Sequence, residues 1–282
     1  MYAWKDYWAN LARSYGSVDP ESFAPVLHPD APTWFNSTID RMQEESWRRG
    51  LSRCRLIDHA SVLDIGCGTG RWLRRYLQLG HRPVGLDATQ GMLRLTTATG
   101  LACPLIVAHA QRLPFRDSSF ELASAVTVVQ HIPSSDQRDV LKEMVRVLRP
   151  GGHLILIELI RGKAPHIFPR SCKNWVETAT SVGLSVVYTE GQEYLLFDQA
   201  FVKFVQALLR LARNRSGSVL PGQDGTPAGG AKYKSAGKSL YWSGRRISCK
   251  LSEWVEPLVR RICPSSWATH GLFVFLKKNG IE

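Results

Sequence analysis

No apolar run in this 282-residue chain approaches the roughly 20 residues that span a bilayer. Nor do the first sixteen residues form a secretory signal, because Lys5, Asp6 and Arg13 interrupt an aromatic-rich segment that lacks a clean apolar core. Cysteine is sparse and scattered, at positions 54, 67, 103, 172, 249 and 263, with no CxxC pair and no histidine at a zinc-like interval. A disulfide framework and a structural metal site are therefore not expected; reduced thiols in a cytoplasmic protein are. Acidic residues are also short, 24 against 36 Lys/Arg, for a net charge of +12.

What is present is an ordinary globular composition, 44% hydrophobic, long enough for one sizeable α/β domain with an elaborated substrate region. The charge is unevenly placed. Residues 201–270 hold twelve Lys/Arg and only Asp224, Glu253 and Glu256 as acids, so a quarter of the chain carries most of the excess. Such a field favours phosphates, nucleic acid or an anionic membrane surface; a solvated basic face is the plainer reading.

Residues 1–60 read as a helical preamble: YWANLARSYG is amphipathic, the stretch Pro20 to Pro32 breaks it, and a second helical run covers about Trp34 to Arg53. From residue 61 short apolar runs alternate with amphipathic helices, the pattern of βαβ units and a parallel sheet. SVLDIG, PVGLD, PLIVA, FELASAVTVV, HLILIEL, LSVVYTE and GLFVFLKK are the seven expected strands. Gly80 is the expected C-cap of the first crossover helix. Ser134 and Gln137 have capping-box spacing ahead of a helix whose apolar face is Val140, Leu141, Met144, Val145 and Leu148, and Pro150-Gly151-Gly152 is expected to stop it. Helical stripes from Phe201 to Ala212 and from Leu251 to Ile262 flank residues 216–237, a Gly/Ser/Pro/Lys-rich segment read as a flexible loop. Pro257 is expected to kink or restart the second of these helices.

The strongest chemical signal is Val62-Leu63-Asp64-Ile65-Gly66-Cys67-Gly68-Thr69-Gly70: a buried strand, then a glycine-rich bend that opens a helix. Glycines let a ligand approach the backbone, and a helix N-terminus offers free N–H groups. The dinucleotide pattern G-x-G-x-x-G fails, because its third glycine falls at Arg71; the spacing here is G-x-G-x-G. This segment resembles motif I of class I S-adenosylmethionine-dependent methyltransferases. Asp87 at the end of the second strand, LPFRDSSFELASAVTVVQHI, and KEMVRVLRPGGHLILIE resemble the family's later motifs in the same order. The resemblance covers residues 61–160 in detail and Gly271 to Lys278 as a last strand.

That resemblance implies a Rossmann-like three-layer α/β sandwich, its seven-stranded sheet mostly parallel with an antiparallel last strand. It implies a helical cap at 1–60, a cofactor-binding core at 61–190, a basic substrate-region insertion at 191–270 and the last strand at 271–282. S-adenosyl-L-methionine is the implied cofactor. Asp64 is expected to orient the glycine bend and reach the methionine amino group, directly or through water, with Gly66, Cys67, Gly68, Thr69 and Gly70 shaping the seat. Asp87 is expected on the ribose hydroxyls, since a carboxylate accepts from a diol, with Ala88 and Met92 beside the adenosine. Ala110 and Gln111 fall at the adenine edge, Val126 and Thr127 after the fourth strand, and Tyr15 over the methionine end as a lid. The sequence departs at His109, where the family often has Asp, which shifts adenine recognition toward backbone groups or Gln111.

Methyl transfer asks the protein mainly to align a nucleophile and exclude water; an oxygen acceptor also needs a base. His131 and Glu158, after the fourth and fifth strands, are the candidate catalytic residues. The plainer reading of His131 is a capping or packing histidine beside Pro133, and of Glu158 a loop acid or cation partner. His166, Tyr188 and Tyr194 rank lower. Trp4, Tyr7, Trp8, Trp34 and Phe35 either cover an apolar acceptor or dock the preamble on the core. A small-molecule acceptor, lipid- or sugar-linked, is the favoured partner. Contact with an anionic membrane through the basic insertion, a tRNA or other RNA substrate, and a non-catalytic partner subunit remain open beside it.

Overall fold

The computed structural model describes residues 4–14, 28, 31–162, 166–216 and 235–278. Two helices come first, α1 (Trp4–Ser14) and α2 (Thr33–Leu51). Strand and helix then alternate through β1 (Ser61–Ile65), α3 (Arg71–Gln78), β2 (Arg82–Asp87), α4 (Gln90–Ala98) and β3 (Leu105–Val107). They continue with β4 (Phe120–Val126), α5 (Gln137–Val147), β5 (Leu148–Leu159), α6 (Cys172–Thr180) and β6 (Leu184–Gln192). After α7 (Leu196–Ser216) and α8 (Ser235–Ile262) the chain returns to the sheet as β7 (His270–Lys277).

The seven strands form one sheet in the order β3-β2-β1-β4-β5-β7-β6. β1 to β5 pair in parallel, and β7 inserts antiparallel to both β5 and β6. Leu154 to Ile157 of β5 and Leu272 to Phe275 of β7 are fully buried, as strands covered on both faces must be. The order reverses between β1 and β4, and a crevice opens beyond the carboxyl ends of the strands at that switch point.

Helix α2 belongs to this core. Trp47 is fully buried between Trp72 and Tyr76 of α3, and its indole N–H donates to the Tyr76 hydroxyl at 3.1 Å. Truncating such a side chain to alanine costs about 3–5 kcal/mol. A buried ionic chain runs alongside. Asp40 of α2 accepts from Arg71 at 2.9 Å and from Arg75 at 2.6 Å. Arg71 also donates to the Gln43 carbonyl, Gln43 donates to Glu193 at 2.8 Å, and Glu193 meets His270 at 2.9 Å.

The chain divides into two compact units, Met1–Glu193 with Pro264–Glu282, and Tyr194–Cys263. The second unit is an antiparallel pair of helices. The Ser252 hydroxyl accepts from the N–H groups of Phe197 and Asp198, and the Glu256 carboxylate accepts from that of Tyr194. Arg245 pairs with Asp198, and Gly244 gives the Phe201 ring room, since a Cβ there would lie 2.4 Å from it.

Three local expectations change. The capping box fails: Asp136, not Ser134, precedes α5 and makes no side-chain cap bond. Gln137 is instead fully buried, its amide donating to the carbonyls of Val129, Ile132 and Phe168. Pro150-Gly151-Gly152 lies inside β5, where Gly152 admits the close passage of the Arg149 and Glu121 carbonyls. α8 runs through Pro257 without restarting, and Pro257 sits on the exposed side of the helix. Of the segment read as a loop, 217–234 lies outside the described residues, while Ser216 ends α7 and 235–237 begin α8. Among the described residues no helix is long and apolar enough to cross a membrane.

Candidate active site

The site is built where β1 ends. Gly66 has φ 67°, a conformation that favours glycine, and a Cβ there would strike Val128 at 2.5 Å. Gly70, at φ 81°, is the N-cap of α3. Between them the Gly68 N–H donates to Asp87 Oδ2 at 3.0 Å, and the Gly68 carbonyl accepts from the Thr96 hydroxyl at 2.6 Å. Asp87 Oδ1 accepts from the Thr89 N–H at 2.8 Å. The carboxylate that fixes the glycine bend is thus Asp87 of β2. Asp64 had been expected to orient it, but it accepts from Ser124 at 2.9 Å on the neighbouring β4.

The two acids differ in their unused capacity. Asp64 is 1% exposed, and its Oδ2 has no hydrogen-bond partner. Burial pushes its carboxyl up to about 7, against the lowering effects of Ser124 and Arg71. Burial also raises Asp87, while the N–H groups of Thr89 and Gly68 act in the opposite direction.

Beyond the bend lies a cleft enclosing about 880 Å³, its open mouth included. Gly66, Cys67, Gly68, Asp87, Ala88, Met92, Ala110, Gln111, Val126, Thr127 and His131 all line it, as do Trp8 of α1 and Arg71 and Trp72 of α3. Asp64, Thr69 and Gly70 stand behind this surface, and Tyr15 lies outside the described residues. His109 is likewise absent from the lining, where Ala108 takes part. Sequence reasoning missed Arg71, Trp72, Thr89, Val128 and Ile132. The signal for Arg71 was its place immediately after the last glycine of the bend.

One wall is aromatic. The His131 ring meets Trp8 edge-on at 5.2 Å and stacks on His166 at 5.6 Å, and Tyr7 stacks on the far side of His166 at 4.8 Å. His131 Nδ1 lies 3.1 Å from the His166 carbonyl, so this nitrogen carries the proton and Nε2 is the acceptor, with the Gln130 amide nitrogen 3.5 Å from it. Burial lowers His131 to about 4, which keeps it neutral near pH 7.

Glu158 does not reach this cleft. It is 0% exposed, and its oxygens accept from the N–H groups of Val128, Val129 and Gln130 at 3.2, 2.9 and 3.0 Å. These three donors begin the short 3-10 turn that carries His131, so Glu158 holds the turn in place and is not the open base expected. Burial still pushes its carboxyl up to about 7. Tyr188 donates to Glu190, and Tyr194 belongs to the helical pair. Among the described residues no group of three or more His, Cys, Asp or Glu is arranged to hold a metal ion.

A seven-stranded sheet of this order, with a glycine bend and a β2 carboxylate at its switch point, defines the class I methyltransferase fold. Residues 63–156, a third of the chain, match the family model described as a methyltransferase domain, in keeping with that fold. The chain is 32% identical over 144 residues to a demethylmenaquinone methyltransferase of Lactiplantibacillus plantarum, covering 48% of this chain and 60% of that one. It is 31% identical over 151 residues to the sterol 4-C-methyltransferase strm-1 of Caenorhabditis elegans, covering 51% of this chain and 45% of the other. The chain thus spans about half the length of these curated relatives. Among solved structures, the [4+2]-cyclase SpnF superposes with a TM-score of 0.54 at 18% identity, covering 86% of this chain and 81% of that one. That likeness is one of fold.

Proposed function

We propose that this protein transfers the methyl group of S-adenosylmethionine to a small-molecule acceptor with an apolar body, in the lipid-linked class. The observation that carries the reading is the Gly68–Asp87 hydrogen bond, which makes the glycine bend and the β2 carboxylate one unit on the cleft surface. The donor set fits the cofactor's chemistry. Asp64 keeps a buried, unclaimed carboxylate oxygen for an ammonium group, and Asp87 keeps lone pairs for a ribose diol. Met92, Ala88, Ala110 and Gln111 line the portion assigned to adenosine. When bound, the cofactor supplies a sulfonium-activated methyl group.

The chain's own residues then have three tasks. Gly66 and Gly68 bring backbone against the ligand, Val126 and Thr127 bound the space after β4, and Trp8, Trp72 and Ile132 exclude water. His131 offers Nε2 as a hydrogen-bond acceptor without bringing a charge, which suits holding an acceptor hydroxyl more than removing a proton outright. The apolar lining and the names of the two relatives, which specify a demethylmenaquinone and a sterol, support the acceptor class.

Calorimetry with S-adenosylmethionine and S-adenosylhomocysteine tests the cofactor, with micromolar binding, about −8 kcal/mol, as the expected result. Transfer of radiolabelled methyl into a cell extract, fractionated into lipid, RNA and polar small molecules, tests the acceptor. Label in the lipid fraction is expected; label confined to RNA overturns the acceptor class while leaving the cofactor result intact.

A further inference from the structure

Helix α8 carries a surface the cleft does not use. Leu240, Ile247, Leu251, Trp254, Leu258 and Ile262 are 75, 64, 46, 82, 60 and 70% exposed. At 100° per residue these six fall within an arc of about 80°, and they extend for about 33 Å along the helix. Its antiparallel neighbour α7 repeats the pattern with Phe197, Phe204, Leu208 and Leu211, 46–61% exposed. Lone exposed leucines are common on protein surfaces, whereas a continuous stripe with a tryptophan four-fifths exposed marks a surface that something covers.

The charge beside the stripe selects the occupant. Arg246, Lys250 and Arg261 are exposed and lie along one flank of the α8 arc. Tyr194–Cys263 contains twelve Lys/Arg against four Asp/Glu. Two of those acids are spent inside the helical pair, Asp198 on Arg245 and Glu256 on the Tyr194 N–H. A second copy of the chain would bring the same basic flank against this one with few acids to meet it. A nucleic acid would leave the leucines, the isoleucines and Trp254 facing water. An anionic bilayer surface satisfies both features, taking the apolar stripe to the depth of the headgroup boundary and the basic flank at its phosphates.

We infer that the exposed face of α8 is a docking surface for anionic lipid membranes. The inference is independent of the methyl-transfer reading, since it draws on no residue of the cleft.

Sedimentation of the full chain with phosphatidylcholine vesicles, with and without phosphatidylglycerol, tests it alongside light scattering of the free protein and a bulk tRNA shift. Wild type is expected to sediment with the anionic vesicles, less so as salt rises. The paired change Trp254→Glu with Leu258→Glu, and separately Arg246→Glu with Lys250→Glu, should each weaken that binding at least tenfold. All four side chains are exposed, and unchanged calorimetric binding of S-adenosylmethionine reports that the variants remain folded. Where the methyl-transfer reading itself fails, unchanged circular dichroism and thermal midpoint serve the same purpose. Failure to sediment at low salt, or equal sedimentation of the Trp254/Leu258 variant, overturns the inference. So does a dimer that this variant dissolves, or tRNA binding that only the charge variant loses.

Discussion

Two strand-end carboxylates, Asp87 on β2 and Glu158 on β5, began as similar candidates and end with opposite fates. Each accepts from the N–H groups of a loop that follows the neighbouring strand, β1 for Asp87 and β4 for Glu158. Asp87 takes two, from Gly68 and Thr89, and still faces the cleft. Glu158 takes three, from Val128, Val129 and Gln130, and is buried away from the cleft. A strand-end carboxylate can serve a ligand only with the lone pairs that backbone donors leave unused.

The largest test of that contrast is Glu158→Ala. It strands three N–H donors in a buried place, and a loss of about 3 kcal/mol or more in denaturant unfolding is expected. The contrast breaks if stability holds and only turnover falls. Asp87→Ala should weaken S-adenosylmethionine binding about 100-fold by calorimetry, near 2.7 kcal/mol, because it removes both the ribose acceptor and the anchor of the glycine bend. Equal affinity would end the ribose assignment.

Asp64 sharpens the comparison as a carboxylate with an oxygen to spare. Its carboxyl, raised to about 7, must ionise to receive an ammonium group, so cofactor affinity should fall as pH drops through about 7, approaching tenfold per unit below it. Asp64→Asn should flatten that profile; a sloping profile in the variant would assign the proton elsewhere. The last test concerns His131, lowered to about 4 from an ordinary 6.5. The unfolded chain binds this proton first as pH falls, so stability should decline between about 6.5 and 4 by about 3 kcal/mol in all. His131→Phe should remove that part of the decline in thermal melts taken across the range, and a slope that the variant leaves unchanged would clear His131 of it.

The Asp64–Gly70 bend and Asp87 were legible because strand, glycine spacing and acid all lie within about two dozen residues and follow local rules. The seven strands were legible for the same reason, as short apolar runs separated by crossovers. The far side of the cleft was not. Glu158 meets partners about thirty residues earlier, and the side chain of Gln137 was claimed by three carbonyls instead of a helix cap. Arg71 was visible only as the residue that spoiled a dinucleotide pattern, since Asp40 and Gln43, which hold it, lie about thirty residues away on α2. Periodicity identifies which face of an element is buried, and it carries no information about which distant polar group arrives there.

The ionic chain from α2 also sets how small this protein can be made. A truncated chain beginning at residue 61 would keep Arg71 and Arg75 but lose Asp40, Gln43 and Glu44, the side chains that accept from them. Two guanidinium groups would then lose the side chains that hold them, and the Trp72–Tyr76 face of α3 that Trp47 covers would be open to water. The glycine bend and the sheet therefore do not make a self-sufficient minimal fragment, and α2 belongs inside any boundary drawn for expression or redesign.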